Sequence, residues 1–115
     1  MIEGLRVLIV EDEFLVAALL GDMIGDAGGI PVGPARSVGE ALDLVEAGGF
    51  DVAAVDWNLA GDSGETVAEA LAGKGVPFVI STGYGAVTGR FADRPLLDKP
   101  YPASALIAEL VRLRG

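Results

Sequence analysis

Four places in the chain carry side chains suited to holding a hard cation and a phosphoryl group: Glu11-Asp12, Asp56, Thr82 and Lys99. Each falls at or just after the end of a predicted strand, and in a parallel α/β sheet those ends meet in one crevice. Three acidic groups, a hydroxyl and an ammonium would then lie within reach of one another. Carboxylate oxygens suit Mg²⁺, which keeps several waters and accepts phosphate oxygens. Asp12 and Asp56 would be its ligands, with Glu11 acting directly or through water and Asn58 through its backbone carbonyl. Asp56 is the candidate phosphoacceptor, because a carboxylate can attack a phosphoryl group and hold it as an acyl phosphate. Lys99 would pair with Asp56 and then with a phosphoryl oxygen. Thr82 would donate its hydroxyl to another, with Ser81 taking that role if the strand register slips by one. Gly83 leaves space beside them. Plainer readings exist for each: Asp56 capping a turn, Glu11-Asp12-Glu13 as a solvated helix N-terminus favoured by the helix dipole, and Lys99 as a surface lysine. If the carboxylates do meet, they repel unless a cation or Lys99 offsets them.

The elements that must position these residues follow from the apolar pattern. Residues 5–10 read Leu-Arg-Val-Leu-Ile-Val, a nearly continuous apolar run that suits a central parallel strand. A helix is predicted over 13–27, with Leu15, Leu19, Met23 and Ile24 at helical spacing, stopped by Gly28-Gly29. Residues 30–35 form a weak strand whose prolines, Pro31 and Pro34, imply a sheet edge. Ser37 and Glu40 have capping-box spacing, and Ala41, Leu42, Leu44 and Val45 supply the apolar face of the helix that follows. A buried strand over 50–55 delivers Asp56. Helix 65–72, strand 76–81, short strand 95–98 and helix 103–113 complete the alternation, the last with a Leu106, Leu110, Leu113 stripe. Between the fourth and fifth strands, residues 84–94 contain Gly85 and Gly89, each costing a helix roughly 1 kcal/mol relative to alanine. A short or frayed turn is expected there, and it should be the least stable part of the fold. Strands alternating with helices indicate an α/β fold: a doubly wound parallel sheet with helices on both faces.

Composition bounds the function classes. The 115 residues suit one domain, residues 1–115, and 51% of them are hydrophobic, so the chain can bury a core without staples. It has no cysteine and no histidine, which excludes thiolate and histidine metal sites and histidine acid/base chemistry. A net charge of −9 disfavours nucleic acid as a partner. No apolar run is long enough for a membrane, and the start lacks a signal-peptide pattern, so a cytoplasmic location is the default. The chain stops at the last helix, and no output domain is expected. A dinucleotide fold is disfavoured, since glycines 25, 28, 29 and 33 form no G-x-G-x-x-G after the first strand.

Taken together, these residues resemble the receiver domain of bacterial two-component response regulators over nearly the whole chain. Val7-Leu8-Ile9-Val10-Glu11-Asp12-Glu13 is similar to that family's first strand and acidic pair. Asp56, with Gly64 eight residues on, resembles its phosphorylation site and following loop; Thr82 resembles its switch hydroxyl, and Lys99-Pro100 its Lys-Pro pair. The run from Pro77 through Ser81-Thr82-Gly83-Tyr84-Gly85 is similar to the Phe-Ala-Thr-Gly-Tyr-type motif of a stand-alone subclass frequent in alphaproteobacteria, linked to stress phosphorelays. The resemblance implies a flavodoxin-like (βα)5 fold with a five-stranded sheet of order 2-1-3-4-5. It also implies that Asp56 takes its phosphoryl group from a phosphohistidine on a sensor histidine kinase or histidine phosphotransfer protein. Phe14, Leu15 and Pro100-Tyr101 are the implied donor contacts, with a further downstream protein unnamed. Three departures stand out. Ala60 occupies the position where many relatives carry proline, the stretch between Thr82 and Lys99 is short, and Tyr101 stands where phenylalanine is common.

The expected function is a non-enzymatic phosphoacceptor switch with slow self-dephosphorylation, and a monomer is preferred over a phosphorylation-dependent dimer. A phosphate sink or relay intermediate is one alternative. A pseudo-receiver that binds partners without phosphate is another. A magnesium nucleotidyl-transfer site would want an acid where Asn58 stands, and a haloacid-type phosphatase would want its nucleophile after the first strand.

Overall fold

The computed structural model describes residues 2–83, 87 and 89–115. Five parallel strands, β1 (Arg6–Val10), β2 (Ile30–Ala35), β3 (Val52–Asp56), β4 (Phe78–Thr82) and β5 (Leu96–Asp98), form one sheet in the order β2-β1-β3-β4-β5. Every neighbouring pair runs parallel. The helices α1 (Phe14–Asp26), α2 (Val38–Ala47), α3 (Glu65–Gly73) and α4 (Ala103–Arg114) connect or follow them. A two-residue ladder between Asn58–Leu59 and Asp62–Ser63 forms a small hairpin between β3 and α3.

Alternation along the strands sorts the core into two layers. Val7, Ile9, Val52, Ala54 and Val79 face α1 and α4, where Ala17, Leu20, Ile24, Leu106 and Leu110 meet them. Leu8, Val10, Ala53, Val55, Phe78 and Ile80 face α2 and α3, against Ala41, Val45, Val67, Ala68 and Leu71. Burying one such leucine or phenylalanine is worth roughly 1.5–3 kcal/mol, so both faces must be covered for the central strands to be stable. That is the doubly wound arrangement the apolar runs predicted.

The proline-bearing β2 lies at an edge as expected, and its pairing with β1 shifts register between Leu8 and Val10. The Ser37 hydroxyl accepts from the Glu40 N–H at 3.2 Å, capping α2. Glu40 Oε1 reaches one residue further back than a capping box requires, accepting from the Arg36 N–H at 2.8 Å. The third strand starts at Val52, two residues later than predicted, and includes Asp56.

The first helix corrects an expectation. Leu15 (79% exposed) and Leu19 (54%) point outward, and the buried face is Ala17, Leu20 and Ile24. Two overlapping stripes satisfy helical spacing here, and only the sheet decides which is covered.

The segment after β4 contains a single 3₁₀ turn, Gly89–Phe91, among its described residues. Phe91 is buried, edge-on to Phe78 at 5.7 Å and to Trp57 at 6.2 Å between ring centroids. Tyr84 of the Thr-Gly-Tyr run, and the part of the expected short or frayed turn at Gly85, Ala86 and Thr88, lie outside the described residues.

An acidic crevice at the carboxyl edge of the sheet

Backbone bonds beyond the strand ends hold the loops of this edge in line. Glu11 N–H donates to Ala35 O at 2.9 Å, Trp57 N–H to Ser81 O at 2.9 Å and Lys99 N–H to Thr82 O at 2.8 Å. Strands β1, β3, β4 and β5 therefore end together, and their next residues share one crevice.

That crevice has a volume of about 270 Å³ and is lined by Asp12, Glu13, Asp56, Asn58, Gly83 and Lys99. Ligand-capable oxygens of Glu11, Asp12 and Asp56 lie within 4.8 Å of one another. Lys99 Nζ donates to Glu11 Oε1 at 2.9 Å and to Asp56 Oδ2 at 3.1 Å. The Asn58 N–H donates to Asp56 Oδ1 at 3.2 Å, and the Glu13 N–H to Glu11 Oε2 at 3.2 Å. Glu11 is fully buried, whereas Asp12 is partly exposed.

Of the residues singled out in the sequence, Glu11, Asp12, Asp56, Asn58 and Lys99 come together. Ser81 pairs in register with Asp56. Thr82 is buried next to it and is not among the crevice-lining residues. Sequence reasoning missed the amide N–H groups of Glu13, Asn58 and Ala60, the last donating to Asp12 Oδ2 at 3.0 Å. Backbone donors leave no mark in residue types, although the turn residues 58–61 were a signal that a tight loop lay there.

Electrostatics at the crevice are unbalanced. Burial raises Glu11 from the usual carboxylate range to about 7, and neighbouring Asp56 adds to this against the opposing pull of Lys99 and the Glu13 N–H. Burial also acts to lower Lys99, but its hydrogen bonds to Glu11 and Asp56 prevail and raise it. Burial pushes the Tyr101 hydroxyl up, partly offset by Lys99 and Ser81. One ammonium faces three carboxylates, so the donor set suits a divalent cation with oxygen preference.

A consequence can be measured. Glu11 holds its proton to higher pH folded, at about 7, than unfolded, near 4.5. The folded state thus binds more protons between those values, and stability falls as pH rises through them, by at most roughly 3 kcal/mol. Thermal denaturation in chelator should show a lower Tm at pH 8 than at pH 5, with saturating Mg²⁺ closing the gap. A Tm that rises with pH in chelator contradicts this electrostatic picture.

The sheet order, with an oxygen-donor crevice at the carboxyl edge of its strands, places the protein in the flavodoxin-like α/β class. Within it, the chain belongs to the response regulator receiver domain family, which it matches over residues 7–109. It is 42% identical to SdrG from Sphingomonas melonis Fr1, with a TM-score of 0.85 over 97% of this chain and 98% of that one. The BeF3-activated conformation of SdrG from Pseudomonas melonis Fr1 is similar at 43% identity and TM-score 0.81, covering 98% of both chains. A response regulator receiver protein from Sinorhizobium medicae WSM419 shares the fold at 22% identity and TM-score 0.84, covering 98% of this chain and 96% of that one. The comparison with curated proteins returns no match. The protein is a receiver domain of two-component response regulators, with the phosphoacceptor role of that family.

Proposed function

We propose that residues 1–115 act as a single receiver domain in which Asp56 takes a phosphoryl group from a phosphohistidine partner, a sensor histidine kinase or a histidine phosphotransfer protein. The observation that carries this is the position of Asp56. It lines the crevice, and its carboxylate lies 3.1 Å from the Lys99 ammonium. Glu11 is as close to Lys99 but does not line the crevice.

Glu11, Asp12, Asp56 and the backbone carbonyl of Asn58 are the residues that would hold Mg²⁺. When bound, the cation supplies positive charge opposite the phosphoryl oxygens. An Asp56 oxygen attacks phosphorus in line, and the bond from phosphorus to the donor's leaving atom breaks as the new P–O bond forms. Lys99 then follows the charge from the carboxylate to a phosphoryl oxygen. Thr82 donates its hydroxyl to a second oxygen, drawing its loop inward, and Gly83 leaves room for the group. Water later cleaves the acyl phosphate, returning Asp56. The domain is therefore a slowly self-resetting switch, not an ordinary enzyme.

Two further observations support the reading. A relative at 43% identity has a BeF3-activated conformation, and BeF3 mimics a phosphoryl group on a carboxylate. Phe14 (66% exposed) lines a separate groove with Pro31 and Pro34, whereas Leu19, one turn after the exposed Leu15, lines an apolar groove of about 190 Å³ with Pro100 and Tyr101. The latter groove borders the lysine of the crevice and suits contact with the phosphohistidine donor. Incubation with acetyl phosphate and Mg²⁺, read by intact mass, tests the function. One added phosphoryl group, absent in chelator, is expected; no addition in Mg²⁺ overturns it. The response follows a change of protein–protein contacts in the cytoplasm.

A further inference from the structure

We propose that the backbone N–H of Ala60 is a positioning group for the cation, acting through Asp12; the inference rests on the cation-site reading above. Leu59 pairs antiparallel with Asp62, so Ala60 and Gly61 are the two central residues of a two-residue hairpin loop. Their φ angles are 53° and 92°. Positive φ at both positions is the signature of a type I′ turn, where asparagine, aspartate or glycine is favoured first. Glycine takes this conformation freely and alanine does not. Ala60 is the one non-glycine residue with positive φ among those described. Such strain persists where the surroundings over-determine it.

The surroundings do so here. Leu59 is buried in the core layer under α3 and anchors one arm of the hairpin. Asn58 ties the arm at both ends: its N–H donates to Asp56 Oδ1 at 3.2 Å, and its Oδ1 accepts from the Gly61 N–H at 3.1 Å. Between them the Ala60 N–H is aimed at Asp12 Oδ2, 3.0 Å away and 48 positions distant in the chain. One short hairpin thus contacts two of the three acids expected to hold the cation, Asp12 and Asp56. An N–H on one oxygen of a ligating carboxylate fixes its orientation, and such partners are typically worth about 10–100-fold in metal affinity. Proline has no N–H to give and cannot adopt a positive φ. This chain therefore orients Asp12 by a contact that a proline at position 60 would remove.

Calorimetric Mg²⁺ titration of the wild type, Ala60→Gly and Ala60→Pro tests the proposal. Glycine keeps the N–H and relieves the backbone, so its affinity should stay within about threefold of wild type, while proline should weaken binding about tenfold or more. Equal binding by the proline variant overturns the inference, as does a glycine variant as weak as proline. A wild type that binds no Mg²⁺ removes the cation reading and this inference with it. Amide exchange in chelator gives a second measurement that needs no change at position 60. Asp12→Ala should speed Ala60 exchange about tenfold or more while Asp62 and Ser63 change less than about twofold. Unaltered Ala60 exchange overturns the proposal.

Discussion

Asp56→Ala abolishes phosphoryl uptake: with acetyl phosphate and Mg²⁺, the wild type gains one phosphoryl group by intact mass and the variant gains none. The other acids of the crevice cannot substitute. Both Glu11 oxygens are engaged, by Lys99 and by the Glu13 N–H, and the side chain is fully buried. Asp12 borders the crevice, but among the described residues no ammonium bonds to it, since the bonds of Lys99 go to Glu11 and Asp56. The same substitution carries a stability signature that separates a working nucleophile from a structural aspartate. Asp56 helps to raise Glu11, so removing it relieves charge crowding. The cation-free variant should melt no lower than wild type at pH 8, and Mg²⁺ should stabilise it less. A variant that melts well below wild type, with uptake retained at another residue, contradicts the assignment.

Gly64→Ala destabilises the protein by about 3 kcal/mol, the upper end for overpacking, and lowers Tm by roughly 10–15 °C for a domain of this size. Gly64 precedes α3, and its N–H donates to Trp57 O at 3.0 Å. A Cβ there would overlap the Asp56 carbonyl oxygen and come within 3.1 Å of Trp57 Cα. Those atoms are backbone and cannot swing aside. The constraint is close approach and not dihedral freedom, since Gly64 has an ordinary φ of −69°. Because the displaced strand end carries Asp56, phosphoryl uptake should slow in step with the loss of stability. Gly73→Ala is the control: a Cβ there meets nothing within 4 Å, and inside a helix alanine is favoured by about 1 kcal/mol. Equal melting of the two variants contradicts the packing argument.

The strand-end acids were legible because the strands that carry them are buried on both faces. Val-Leu-Ile-Val at 7–10 and Val-Ala-Ala-Val at 52–55 have no polar interruption, so the first acid after each run marks the carboxyl edge of the sheet. Pro31 marked the edge strand for an equally direct reason, the missing N–H. The covered face of α1 was legible only in part. The predicted stripe was Leu15, Leu19, Met23 and Ile24; Ile24 is buried and Met23 packs partly against the core, but Leu15 and Leu19 are exposed and tertiary contact covers Ala17 and Leu20 instead. Phe91 gave no signal either, because its place against Phe78 and Trp57 depends on three separate chain segments meeting. Ala60 is the sharpest case. Its contribution is a backbone N–H in a conformation alanine disfavours, and nothing in the residue type foretells a bond to Asp12.

The most direct test of the account is to locate the transferred group. Borohydride reduces an aspartyl phosphate to homoserine, so phosphorylated protein can be reduced, digested and mapped by mass. Homoserine at position 56, with positions 11 and 12 unchanged, is the predicted result. Reduction at either of those residues, or a stable phosphoryl group on a hydroxyl such as Thr82, would contradict the claim that the crevice assembles three carboxylates to leave Asp56 as the acceptor.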